Sequence, residues 1–136
     1  MTKRRPTSDW YEFPPFQRHL GAETVEAEDG RAMVRFELRP EFGNRKGDVH
    51  GGILATLVDL AMSQAIRSVR TDLAGLSTIN MTVSYLEPAS GTVIARGKVA
   101  KLGGSIAFAE ATCESEDGTV VVQASGAFRM IRHRQA

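Results

Sequence analysis

Asn44-Arg45-Lys46-Gly47-Asp48-Val49-His50-Gly51-Gly52-Ile53-Leu54-Ala55-Thr56-Leu57-Val58-Asp59-Leu60-Ala61-Met62-Ser63-Gln64-Ala65-Ile66-Arg67-Ser68-Val69 runs from turn formers into the one long helical candidate of the chain. Gly52 to Val69 is rich in Leu, Ala, Met and Ile and has no proline, so a helix is predicted there. Ile53, Leu54, Leu57, Val58, Leu60, Ala61, Ala65 and Ile66 cover more than one of its faces. A helix that apolar needs protein on most sides. Arg67 and Arg70 lie at its end, where cations favour the helix dipole.

The flanks read as strands. Upstream, Val34, Phe36 and Leu38 alternate with Arg35, Glu37 and Arg39, the period of a half-buried strand, and Glu23 to Glu28 is a weaker candidate. Residues 40–50 are dense in turn formers and read as a loop. Downstream, Ile79, Met81, Val83 and Tyr85 alternate with Asn80, Thr82 and Ser84. Val93–Lys101, Ile106–Glu114 and Val120–Met130 follow short turns rich in glycine, which predicts consecutive antiparallel pairing. Residues 1–20 lack a period and read as a loop or short helix pinned by Trp10, Tyr11, Phe13 and Phe16 around Pro14-Pro15. Residues 131–136 read as a basic tail. The order of elements predicts an α+β domain over 1–136, with one curved antiparallel sheet wrapped around a central helix. The sheet covers one side of that helix. No other element is large enough to cover the rest, so a partner subunit is expected.

A chain of 136 residues fits one domain and buries roughly two thirds of its unfolded surface without a metal or disulfide. The single cysteine, Cys113, leaves no internal disulfide and no cysteine-rich zinc cluster, and no metal is expected. Unbroken apolar stretches fall short of the ~18–20 residues that cross a bilayer. Lys3-Arg4-Arg5 is followed by Pro6, Ser8 and Asp9, not by the apolar core of a signal peptide. No membrane partner is expected, and a cytosolic protein is the default. The net charge of +1 conceals a division. Lys3, Arg4, Arg5, Arg129, Arg132 and Arg134 are basic ends on a body (residues 6–128) with eleven cations and sixteen acids. Such ends point to an anionic partner or to two solvated tails. The acidic body carries no motif that reads nucleic acid, so none is expected as partner.

Asp59 stands in the middle of the helix between Val58 and Leu60. Aspartate is a poor helix former, and a buried, unpaired carboxylate is costly. Thr56, Asp59 and Ser63 share one helix face, so a plain solvated strip explains the residue equally well. The residues ahead of it favour chemistry: Asn44, His50, Gly51 and Gly52 precede the helix. Glycines at a helix start expose N–H donors where the dipole favours developing negative charge, as an oxyanion hole requires. Gly52 and Asp59 are seven residues apart, roughly 10 Å along the axis at ~1.5 Å per residue. One reacting carbonyl cannot meet both within one helix. If both act, Asp59 of one subunit meets Gly51 and Gly52 of a neighbour.

Asn44 to Asp59 resembles the N-R-x-G-x-x-H-G-G-x-x-A-T-L-x-D signature of hotdog-fold acyl-CoA thioesterases, and most closely their PaaI-like branch. Gly75-Leu76-Ser77-Thr78 through Tyr85-Leu86-Glu87-Pro88-Ala89 and the Lys101–Glu110 hairpin continue the likeness, which covers roughly residues 30–130. The resemblance implies the hotdog fold, a dimer that often pairs into a tetramer, and hydrolysis of an acyl- or aryl-acyl-CoA thioester at a site shared by two subunits. On that resemblance Asp59 is the nucleophile or the general base. Gly51 or Gly52 of the other subunit polarises the carbonyl, and Asn44 holds the water or the thioester. Ser77 orients the water beside Asp59, and His50 braces the loop or meets the thioester oxygen. Plainer alternatives stay open: Asn44 as a turn residue, His50 as a structural histidine, Ser77 as an ordinary strand serine.

No cofactor is expected beyond coenzyme A as part of substrate and product. Its phosphates find candidate contacts in Lys101, Arg129, Arg132 and the Gly103-Gly104 turn. Leu54, Leu57, Val58 and Met62 are the expected acyl-pocket residues, with Phe13 and Phe16 as caps or core anchors. The rival classes are a non-catalytic acyl-CoA sensor and an enoyl-CoA hydratase. Retention of Asp59 disfavours the first, and the spacing of His50 and Asp59 disfavours the second.

Overall fold

The computed structural model describes residues 14–133. The aromatics Trp10, Tyr11 and Phe13, the cations Lys3, Arg4 and Arg5, and Arg134 fall outside them. In chain order the elements are α1 (Pro15–Leu20), β1 (Glu23–Glu28), β2 (Arg31–Glu37), a 3-10 turn (Pro40–Phe42), α2 (Gly51–Val69), β3 (Leu73–Tyr85), β4 (Thr92–Leu102), β5 (Ile106–Ser115) and β6 (Val120–Arg132). β6 therefore runs two residues into the stretch expected as a basic tail.

The six strands form one antiparallel, curved sheet in the order β1-β2-β4-β5-β6-β3. Asp29 and Gly30 both have positive φ (52° and 80°), so a two-residue turn closes the β1–β2 hairpin with the twist its strands need. The expected pairing of β3 with β4 is not found. β3 lies on the far edge beside β6, and β4 pairs with β2 and β5. Three strand spacings separate β3 from β4, about 14 Å. Residues 86–91 cross that gap instead of turning back. The connection is pinned where the Leu86 N–H donates to Val121 O, the Val49 N–H to Ala89 O and the Leu38 N–H to Gly91 O.

α2 lies on one face of the sheet. Its buried residues are Leu54, Leu57, Val58, Ala61, Met62, Ala65 and Ile66, a 3–4 spacing that marks a single stripe. The helix is thus less uniformly covered than its sequence suggests: Ile53 and Leu60 are only half-buried. The sheet admits it closely because the facing positions are small: Ala95 and Gly97 on β4, Ala109 and Ala111 on β5, Ala124 on β6. A Cβ on Gly97 would stand 2.5 Å from the Ala61 carbonyl carbon and 2.9 Å from Met62 N, so α2 rests there on bare backbone. By length and composition α2, with 19 residues and a mean hydropathy of 1.2, is apolar enough to cross a bilayer. Here its apolar stripe is taken up by the sheet.

Candidate active site

The sequence-predicted residues separate into two groups, one at the start of α2 and one at its middle. At its start, His50 is the N-cap, and its Nδ1 accepts from Gly52 N–H at 2.9 Å. Gly52 is therefore not a free donor. The Gly51 N–H, at the first helical position, has no hydrogen-bond acceptor among the described residues. Asn44 is a turn residue: its Oδ1 accepts from Lys46 N–H (2.9 Å) and Asp48 N–H (3.0 Å), which leaves its amide NH2 available. Asn44 and Gly51 line a cavity of about 560 Å³ together with Leu54, Tyr85 and Pro88 among others. Of the expected acyl-pocket residues only Leu54 reaches it. Leu57, Val58 and Met62 face the sheet and are fully buried in the core.

Eight residues on, Asp59 is half-buried and accepts a 2.7 Å hydrogen bond on Oδ1 from Thr78 Oγ1. Burial raises its pKa above the ordinary carboxylate value, and the Thr78 bond partly opposes that rise. Ser77 is not the partner. Extending the alternation of Met81, Val83 and Tyr85 backward places 77 on the helix face. A β-bulge between Thr78 and Asn80 adds one residue and reverses the phase, so Thr78 faces α2 and Ser77 faces away. Replacing Thr78 with valine should move the acid limb of any Asp59-dependent rate profile to higher pH. The native and variant rates should converge at alkaline pH, which a pH–rate series measures.

The hairpin cations lie at the Asp59 end but mostly on the wrong face. Thr78, Phe128, Ala107 and Leu102 form one cross-strand row towards the helix, and the adjacent row holds Asn80, Ala127, Phe108 and Lys101. Lys101 thus points away from Asp59, as does Arg129, which is in register with Ser77 and Ile106. The Gly103 N–H is spent on Ile106 O, closing the hairpin, and Arg132 Nη2 donates to Gly104 O at 2.9 Å. Sequence reasoning also missed Tyr85. Its hydroxyl donates to Gly51 O at 3.0 Å, which ties the end of β3 to the start of α2. Only the pairing of β3 and α2 in space reveals that contact.

Chemically, the start of α2 offers an N–H with no acceptor among the described residues, at the positive pole of the helix, and its middle offers a carboxylate of raised basicity. Thr78 and Tyr85, which mark these two places along β3, are roughly 20 Å apart at ~3.3 Å per residue. Cys113, the sole thiol, is buried and its pKa is pushed up to about 12, so it offers no nucleophile. No group of three or more metal-ligating side chains forms among the described residues.

A profile of the thioesterase superfamily matches residues 46–122, which hold Gly51, Asp59 and Thr78. The chain belongs to the thioesterase superfamily. It is 32% identical to human acyl-coenzyme A thioesterase 13 over 96 residues, 68% of either chain. It is 36% identical over 124 residues to a Halobacterium salinarum protein described only as an esterase, covering 83% of this chain and 82% of that one. Zebra fish thioesterase superfamily member 2 superposes with a TM-score of 0.77 at 27% identity, over 86% of this chain and 87% of that one. The Escherichia coli PaaI protein of the phenylacetic acid degradation operon shares the fold with a TM-score of 0.81 at 24% identity, over 89% of this chain and 87% of that one. The hotdog fold of these thioesterases is the fold of this chain, with β1–β6 as its sheet and α2 as its core helix.

Proposed function

We propose that this thioesterase-superfamily protein hydrolyses acyl-CoA thioesters to free acid and CoA at a site built by two copies of the chain. The observation that carries this reading is the distance between Asp59 and Gly51 along one helix. Each has its surroundings ready, yet they stand about 12 Å apart at ~1.5 Å per residue. A second copy joins them. β3 is a 13-residue strand at the edge of the sheet, with β6 as its one neighbouring strand among the described residues. Antiparallel pairing of two β3 edges about a two-fold axis sets the Thr78 end of one against the Tyr85 end of the other. Asp59 then meets the partner's Gly51, and the half-exposed Ile53 and Leu60 gain cover.

In that arrangement the Gly51 N–H of the partner subunit and the dipole behind it stabilise negative charge on the thioester oxygen. Asp59 either attacks the carbonyl carbon, giving a mixed anhydride that a water then cleaves, or removes a proton from a water that attacks directly; in both cases the C–S bond breaks, and the proton from that water goes to the departing sulfur so that CoA leaves as the thiol. Thr78 holds the carboxylate in place. The cavity beside Gly51 receives part of the acyl or pantetheine chain against Leu54, Tyr85 and Pro88, and Arg132 at the hairpin is the predicted cation best placed toward a CoA phosphate. Relatives named for acyl-CoA hydrolysis, including a medium/long-chain acyl-CoA thioesterase of Salmonella typhimurium at 28% identity, support the substrate class. A dimer of dimers is the assembly expected in solution, which light scattering measures.

The test is a panel of short, medium, long and aromatic acyl-CoAs with titration of the released thiol. Release well above that of an Asp59→Asn control supports the hydrolase. Tight binding without release supports the sensor. The shared site has its own test. Asp59→Ala and Gly51→Val homomers should each be inactive, and mixed dimers should recover one of their two sites. No recovery on mixing counts against the composite site.

A further inference from the structure

Gly51 and Gly52 are joined by a peptide group that is held at both ends. Its carbonyl oxygen, on Gly51, accepts from the Tyr85 hydroxyl at 3.0 Å. Its N–H, on Gly52, donates to His50 Nδ1 at 2.9 Å. Phenol, peptide and imidazole therefore form one continuous hydrogen-bonded chain. A neutral imidazole whose Nδ1 accepts carries its proton on Nε2, so the chain fixes the His50 tautomer and leaves an Nε2–H donor. A hydrogen bond to a peptide oxygen polarises that peptide and strengthens the bond its N–H makes. Tyr85 thus tightens the grip on His50 from the opposite side of the peptide. The ring adds a second constraint: its edge stands 3.4 Å from where a Gly51 Cβ would be, and both residues line the cavity. Among the described residues two donors at this helix start have no acceptor, the Gly51 N–H and His50 Nε2–H, and the clamp sets the direction of both.

We propose that Tyr85 is a positioning residue for the electrophilic end of the active site, acting through the Gly51–Gly52 peptide on His50. The proposal rests on the thioesterase reading, because those two donors serve a developing oxyanion. Tyr85 does not touch the reacting atoms in this scheme. It decides where the groups that do so point.

The experiment uses the full chain, phenylacetyl-CoA and decanoyl-CoA as probes, and Tyr85→Phe, which keeps the ring and removes the hydroxyl. The expected result is a kcat lower by about tenfold, the scale of one lost hydrogen bond, with KM and melting temperature unchanged. The 15N resonances of the His50 ring should move from the Nε2–H pattern toward a mixture of tautomers. His50→Asn, which keeps a capping acceptor for Gly52 N–H, supplies the second arm. Tyr85→Phe added to His50→Asn should cause no further loss, because the hydroxyl then has no imidazole to act on. An unchanged kcat, fully additive losses or an unaltered His50 spectrum overturns the proposal. Failure of the native protein to release CoA from either probe overturns the hydrolase reading instead. The ring spectrum needs no turnover and still decides whether the clamp exists.

Discussion

Asp59→Asn should lower kcat for acyl-CoA hydrolysis by about a thousandfold, within the range that a lost general base or nucleophile commands. Asparagine keeps the volume and can still accept from Thr78 Oγ1. It removes the charge that either role requires. KM should change little, because the side chain is not asked to bind CoA. The folded state, by contrast, should gain. Burial raises the Asp59 pKa, so the native state holds a proton that the unfolded chain has already released between the ordinary and the raised value. Unfolding then releases protons, and stability falls as pH rises through that window. Asp59→Asn lacks this loss. Its melting temperature should match the native protein at pH below the ordinary carboxylate range and exceed it at neutral pH. Denaturation at several pH values measures the difference, and an equal or lower melting temperature at neutral pH contradicts the assignment of a strained carboxylate. The native kcat/KM should decline on acidification at a pH above that of an unperturbed aspartate.

Gly97→Ala should be the most damaging single methyl group in the molecule. The added Cβ would fall within 2.5 Å of the Ala61 carbonyl carbon and closer still to its oxygen. Those are backbone atoms of α2, so no side-chain rotation relieves the contact. Either the helix lifts from the sheet or β4 bends away. Overpacking of a rigid core costs about 1–3 kcal/mol and more where backbone must move. For a domain of this size a loss near 3 kcal/mol lowers the melting temperature by about 10 °C. Calorimetry reads that shift directly. A comparison with Gly104→Ala, where a Cβ meets nothing within 4 Å, separates the clash from the general effect of replacing glycine. A melting temperature within a degree or two of native for Gly97→Ala would mean that α2 is not seated as closely as described.

Much of this architecture was legible in the sequence because it is written in periodicity. The helix and the strands follow from the spacing of apolar residues, and the helix start is one residue early, at Gly51. The neighbour of β3 was not legible. A six-residue connection with Pro88 and Gly91 has the composition of a hairpin turn, and nothing local announces that it crosses three strand spacings. The site was readable at its charged residues and obscured at their partners. Asp59 stands out because a carboxylate is costly in such a helix. Thr78 does not, since the bulge that aims it depends on the β6 register. The facing of Lys101 and Arg129 was hidden for the same reason: a basic residue near a glycine turn suggests phosphate, but the pleat decides which face it serves. Gly51 and Gly52 were read as alternative donors, and the cap made by His50 consumes the Gly52 N–H.

Beyond a first irregularity between Leu73 and Gly75, the bulge at Ile79 divides β3 into two stretches with opposite phase. Thr78 and the residues before it are aligned by Asp59, whereas Met81, Val83 and Tyr85 are aligned by the start of α2 and the exposed edge. Neither stretch dictates the side-chain phase of the other. Substitutions in the edge half therefore need not turn the Thr78 hydroxyl away from the carboxylate. Deleting one residue at 79 would cancel that independence. It would put the two halves in step with Thr78 beside Asn80 and still opposite Phe128, so the hydroxyl keeps its aim at Asp59 and the bulge is a place where β3 can change length without losing that contact.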